Sequence, residues 1–233
     1  MSGEKLKREL FALLTEKGAK LMGIADLSDV ITGEMRTGVS VAVPVPKNIV
    51  EDLKIAPTRE YYDAYYSMNQ KLDSIVSAGA GFLQSKGYRA FANTTKAVKT
   101  DGQWRTPLPH KTVATRAGLG WIGKNCLLVT ELYGSAVRLS ALVTDAPLPC
   151  GEPIDESFCG GCTVCVQSCP ANALTGRLWR AGMKREELFR REDCKKTQLE
   201  RMKKATGIET DLCGLCFAVC PYTQKYLKGE VPY

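Results

Sequence analysis

The sequence predicts an α+β fold in two parts, a mixed α/β part over residues 1–150 and a small cysteine-rich part over residues 151–233. Three observations predict it. Helical and strand periodicities alternate along the first part, and eight of the ten cysteines crowd into residues 159–220. Three prolines, Pro147, Pro149 and Pro153, mark the break between the parts.

Ser2 is placed to cap a first helix whose Leu6, Leu10, Leu13 and Leu14 share one face, and Gly18 ends it. A short strand follows at Leu21 to Ile24. From Gly38 the chain alternates at period two until Pro44 and Pro46 stop it, which reads as another strand. Thr58 opens the clearest helix: Tyr61, Tyr65, Met68, Leu72, Ile75, Val76, Phe82 and Leu83 keep the i, i+3, i+4, i+7 rhythm up to Gly87. Its aromatic run, Tyr61, Tyr62, Tyr65 and Tyr66, reads as a helix packed on a sheet. Tyr88 to Ala92 predicts a strand and Lys111 to Ala117 a short helix. A strand at Cys126 to Thr130, a turn at Tyr133 to Ser135 and a strand at Val137 to Thr144 together predict a hairpin.

The cysteines carry the strongest signal. Cys159, Cys162, Cys165 and Cys169, followed by Pro170, have the spacing C-x2-C-x2-C-x3-C-P of bacterial ferredoxins. Three thiolates at that pitch wrap one [4Fe–4S] cube, and the fourth normally ligates a second. Cys213, Cys216 and Cys220 before Pro221, with Cys194 upstream, complete the arithmetic. The expected ligand sets are Cys159, Cys162, Cys165 and Cys220 on one cluster, and Cys169, Cys194, Cys213 and Cys216 on the other. Structural zinc favours closed sets of four ligands, often with His, and the chain has one His. Disulfides belong to secreted chains. The first ten residues lack the apolar core of a signal peptide, and no run approaches the ~18 apolar residues of a membrane span. A reducing, cytoplasmic setting with no membrane partner is expected.

The formal charge is +7. From Arg177 to Lys204 there are eleven Lys or Arg against five Asp or Glu. This stretch reads as a solvated face that offsets the charge of the clusters, or as a docking surface for an acidic electron donor such as a flavodoxin or ferredoxin. No recognisable nucleic-acid motif accompanies it.

Residues Gly118, Gly120 and Gly123 match the dinucleotide fingerprint G-x-G-x-x-G, but the match is refused. That fingerprint needs a strand before it and a helix after it, and here the predicted order is reversed. The three glycines let backbone approach something closely, either a ligand or another strand.

At this point the residues resemble a known family. Thr115 to Cys126, then Tyr133, Gly134 and Ser135, then the two cysteine motifs are similar to epoxyqueuosine reductases, with reductive dehalogenases as more distant relatives. The resemblance implies a nitroreductase-like, cobalamin-binding domain followed by a ferredoxin-like domain with two [4Fe–4S] clusters. It implies electron flow through the clusters to a bound cobalamin that reduces the substrate. It also implies cobalamin contacts from Trp104, Arg105, Gly118, Gly120, Trp121, Lys124, Asn125 and Ser135, and the same crosswise pairing of cysteines. Two departures follow. The position of the family's acidic proton donor is Trp104, with Asp101 a weak substitute, and no helical-repeat extension follows the clusters.

The remaining candidates carry two readings each. His110 either ligates cobalt or shuttles a proton, or is a helix-start residue bonded locally, which is favoured. Arg105 and Lys124 bind a carboxylate or corrinoid amide, or stay solvated. Cys126 reads as a buried strand residue, and Cys150 as a free thiol, which is favoured, or as a substitute ligand. The leading expectation is a cobalamin-dependent iron–sulfur oxidoreductase acting on a small molecule or a corrinoid protein. Its rivals are an electron-transfer protein without its own substrate, and a tRNA epoxyqueuosine reductase, which the two departures disfavour.

Overall fold

The computed structural model describes residues 2–102 and 105–230. Its elements are α1 (Gly3–Glu16), β1 (Leu21–Asp26), β2 (Thr37–Pro44), α2 (Lys47–Asp52), α3 (Arg59–Ser85), β3 (Ala90–Asn93), α4 (His110–Arg116), β4 (Trp121–Ile122), β5 (Leu128–Val129), β6 (Val137–Thr144), α5 (Val164–Gln167), α6 (Arg191–Thr206), α7 (Leu215–Ala218) and α8 (Pro221–Lys228). The fold is α+β. Among the described residues no helix is long and apolar enough to cross a membrane.

The chain forms two compact units that interleave in sequence. The first takes residues 1–43, 67–119 and 138–154, and the second takes residues 44–66, 120–137 and 155–233. Long helix α3 contributes to both, changing unit at Ser67.

The first unit is built on a four-stranded sheet in the order β1-β2-β6-β3. β1 pairs antiparallel with β2, Leu21 opposite Ala42, and β3 antiparallel with β6, Ala90 opposite Thr144. β2 is buried along six consecutive residues, as expected of a central strand covered on both faces. α1 starts where the Ser2 hydroxyl accepts from the Lys5 N–H, and it buries Leu6, Leu10 and Leu14. α3 buries Leu72, Ile75, Val76 and Leu83. Ala25, Leu27, Val113, Ala117, Ala141 and Val143 form one core cluster, which seats α4. Burial of such side chains, worth about 1.5–3 kcal/mol for each large one, holds the unit together.

The second unit contains α2, the first turns of α3, the β4–β5 pair and all eight motif cysteines. The aromatic start of α3 packs here: Tyr61 meets Phe217 of α7 edge-on, with ring centroids 6.1 Å apart. Tyr61 of the aromatic run thus meets a short helix of the cysteine-rich segment, while farther along α3 Gly79 packs against Leu142 of β6.

The expected hairpin is also replaced. β5 pairs antiparallel with β4, Trp121 opposite Val129, while β6 joins the four-stranded sheet. Residues 123–126 form a tight turn in which the Cys126 N–H donates to Gly123 O at 2.8 Å. Cys126 takes a positive φ of 59° there, so the strand starts two residues later than alternation predicts. Gly120 makes the pairing possible, because a Cβ at that position would collide with the Val129 carbonyl oxygen.

Candidate functional site

The cysteine motifs bring their thiols together in the second unit. α5 and α7 are single helical turns that pack against each other. α5 carries Cys165 and α7 carries Cys216. Cys220 is the N-cap residue of α8, with Pro221 at its first position, where Pro fits because the missing N–H has no helical partner. Cys194 comes from the first turn of α6.

The thiols fall into two neighbourhoods. Burial pushes the Cys165 thiol up to about 12, and nearby Cys220, Cys159 and Cys162 push it further in the same direction. Burial likewise raises Cys220, with Cys159 and Cys162 as neighbours, against backbone hydrogen bonds from Thr223 and Tyr222 that lower it. The Cys194 thiol is pushed up to about 11 by burial, then by Cys169 and Cys213. Cys216 is raised well above the usual thiol range by burial and then by Cys213, Cys194, Cys165 and Cys169. Cys165 and Cys216 thus bring the two neighbourhoods within electrostatic reach of each other. Among the described residues no three His, Cys, Asp or Glu side chains converge on a single-ion site.

Cys159, Cys162, Cys165 and Cys220 line a cavity of about 130 Å³ together with Lys124, Asn125, Val129, Phe158, Pro221 and Tyr222. Trp121 is 2% exposed and packs on Phe158 and Tyr222, with centroids 5.1 and 4.9 Å away. Among the described residues its Nε1 has no hydrogen-bond partner. Phe158 and Tyr222 were not among the sequence candidates. Their signal is position, since each lies beside a motif, just before Cys159 and just after Pro221.

Several of the residues expected to contact a corrinoid also have partners within the chain. Asn125 Nδ2 donates to Ser135 Oγ at 2.9 Å, and both residues are buried. Lys124 Nζ donates to Gly160 O and Cys162 O at 2.8 and 2.9 Å. It is neither solvated nor turned to a carboxylate. The close approach at Gly120 is to Val129, and at Gly118 to the Glu152 carbonyl. Trp104 lies outside the described residues. Arg105 and Asp101 are exposed, and the Arg105 N–H donates to the Asp101 carboxylate at 2.9 Å.

His110 begins α4, and its Nε2 lies 2.8 Å from Asn93 O, the local role favoured from the sequence. Burial lowers its pKa below the usual value, which keeps the ring neutral and makes Nε2–H the donor. Cys126 is buried, as expected, but in a turn, and it lies among the neighbours of Cys194. Cys150 is exposed. In the basic stretch Arg177 pairs with Glu187, Arg185 with Glu186, Arg190 with Asp193, Arg191 with Glu192 and Lys203 with Glu209. Much of its charge is thus answered locally.

Comparison with known proteins places this geometry. Residues 158–223 match the family described as the 4Fe-4S double cluster binding domain. The epoxyqueuosine reductase of Pseudomonas aeruginosa is 28% identical over 196 residues, 84% of this chain and 49% of that protein. The chain therefore spans about half the length of this curated relative. A crystal structure of epoxyqueuosine reductase with an epoxyqueuosine-modified tRNA-Tyr stem loop superposes with a TM-score of 0.63 at 23% identity, over 100% of this chain and 68% of that one. A reductive dehalogenase whose structure suggests a mechanism for B12-dependent dehalogenation superposes at 0.73 and 18% identity, over 95% and 33%. The chain resembles epoxyqueuosine reductases in sequence, shares a fold with them and with reductive dehalogenases, and carries over residues 158–223 a 4Fe-4S double cluster binding domain.

Proposed function

We propose that this chain is an iron–sulfur oxidoreductase that delivers electrons through two [4Fe–4S] clusters to a bound cobalamin, for reduction of a substrate not yet identified. The observation that carries the reading is the division of eight thiols into two neighbouring sets, joined to the match with a double-cluster domain. Cys159, Cys162, Cys165 and Cys220 would hold one cluster, and Cys169, Cys194, Cys213 and Cys216 the other. The clusters, when bound, supply one-electron chemistry at potentials set by charge, hydrogen bonding and burial. The chain's own part is to bury Cys165 and Cys220, to cover the other six in part, and to hold the two sets close. The functional division we propose runs at residue 150, since all eight ligands follow it.

Cobalamin is supported by the fold shared with a protein of B12-dependent dehalogenation. The residues proposed to contact it are the ones the resemblance implies: Trp104, Arg105, Gly118, Gly120, Trp121, Lys124, Asn125 and Ser135. An acidic donor such as a flavodoxin or ferredoxin would dock at residues 177–204, using the cations of that stretch. Anaerobic iron and sulfide analysis, with absorption and paramagnetic resonance spectra, tests the core of the proposal. About eight irons per chain are expected, and a count near four or below rejects it. Gel filtration after reconstitution tests cobalamin, which is abandoned if no corrinoid co-elutes.

A second reading takes epoxyqueuosine in tRNA as the substrate. The curated relatives are named epoxyqueuosine reductases, and a solved one holds a modified stem loop. Against it stands Trp104 at the acidic donor position, which cannot give a carboxylic proton. Complementation of a queuosine-deficient strain decides: restored queuosine supports this reading, and its absence removes it.

A further inference from the structure

Lys124 is 6% exposed, and its ammonium lies against two carbonyls of the first cysteine loop, Gly160 O at 2.8 Å and Cys162 O at 2.9 Å. Those bonds use two of its three donors. Carbonyl dipoles solvate a charge but do not neutralise it, and a buried ammonium without a counter-charge is strongly disfavoured. Among the described residues no carboxylate forms an ion pair with it. The anionic groups at hand are the four thiols that line the same cavity, Cys159, Cys162, Cys165 and Cys220. Four thiolates on a [4Fe–4S] core of charge two-plus leave a net negative centre there. Beside it, Trp121 packs its ring on Phe158 and Tyr222 of the cavity wall, and among the described residues its Nε1 has no hydrogen-bond partner.

We infer that Lys124 is the counter-charge and positioning residue of the cluster held by Cys159, Cys162, Cys165 and Cys220, an inference that rests on the double-cluster reading. It acts in two ways. Its two hydrogen bonds pin the loop from Gly160 to Cys162, so that three of the ligands keep their spacing before the cluster is built. Its positive charge lies inside the protein, where solvent screens it little. Reduction adds one electron to an already negative centre, and a fixed cation beside it favours the reduced form. The cavity that Lys124 lines contains none of Cys169, Cys194, Cys213 and Cys216, so the effect is unequal between the two clusters.

The test uses the full chain, purified and reconstituted without air. The parent is compared with Lys124→Met, Lys124→Gln and Lys124→Arg by iron content, by circular dichroism and by redox titration followed by paramagnetic resonance. In the folded neutral variants one midpoint is expected to move to more negative potential while the other stays, with Lys124→Arg restoring the parent value. Loss of about half the iron in Lys124→Met, with retention in Lys124→Arg, also supports the role. Where Lys124→Met does not fold, Lys124→Gln against Lys124→Arg carries the comparison. Full iron with both midpoints unmoved, or both shifted equally, overturns it. A parent protein far below about eight irons overturns the double-cluster reading itself, before any variant is compared.

Discussion

The Ser135 backbone N–H donates to the Thr223 hydroxyl at 3.0 Å, tying the turn after β5 to the first turn of α8, three residues beyond Cys220. Thr223 is fully buried, and Gly134 approaches so closely that a Cβ there would collide with the Thr223 backbone nitrogen. Thr223→Val keeps the shape but leaves a buried N–H without its acceptor. The expected cost is about 1–3 kcal/mol, read as a lower denaturation midpoint, and Thr223→Ser is expected to recover most of it. Equal stability of the Val and Ser variants would show that packing, not the hydrogen bond, holds this contact.

Gly120 separates two explanations of the glycine-rich segment. If its purpose is to admit a corrinoid, Gly120→Ala leaves the protein stable and weakens cobalamin binding. The structure predicts the opposite, because the new Cβ would overlap the Val129 carbonyl of the paired strand. A loss of about 3 kcal/mol of stability, the upper end of overpacking costs, is expected with and without cofactor. Thermal unfolding of both forms measures it, and unchanged stability with lost cobalamin would return Gly120 to the cofactor.

How much of this was legible in the sequence follows from where each signal lives. Leu6, Leu10 and Leu14 and the alternation before Pro44 are local periodicities, and the elements they predict are present. The cysteine spacing is local too, and in the folded chain Cys159 and Cys162 lie among the neighbours of Cys220. The partner of a strand is not local. Cys126 to Thr130 alternates convincingly, but the turn at residues 123–126 consumes its start, and β5 pairs backward with β4 instead of forward with β6. Lys124 was equally opaque, since nothing near it in the chain announces acceptors 36 and 38 residues away.

His110 supplies an assignable titration, because it is the sole histidine. Its folded pKa is lowered from 6.5, first by burial, against hydrogen bonds to the backbone at Asn93 and Leu139 that raise it. As pH falls below about 6.5 the unfolded chain takes up a proton that the folded chain still refuses. Acid therefore favours unfolding there, and His110's neutral-state contribution is complete only above that pH. Magnetic resonance of the single imidazole should titrate below 6.5. Unfolding midpoints of the parent should decline through that window more steeply than those of His110→Gln, and parallel curves would remove His110 as the source.

Single serine substitutions distinguish crosswise ligation from two sets built each from its own motif. Crosswise pairing predicts that Cys220→Ser disables the cluster with Cys159, Cys162 and Cys165, although it lies in the later motif. Cys169→Ser and Cys194→Ser should both disable the other cluster, although they come from different stretches of chain. Each variant is expected to keep about half the iron, with one paramagnetic signal surviving in Cys220→Ser and the complementary signal in the other two. Cys150→Ser, at an exposed thiol outside both neighbourhoods, should keep all of it. Pairing within each motif predicts instead that Cys169→Ser loses the same signal as Cys159→Ser, and that result would overturn the crosswise arrangement.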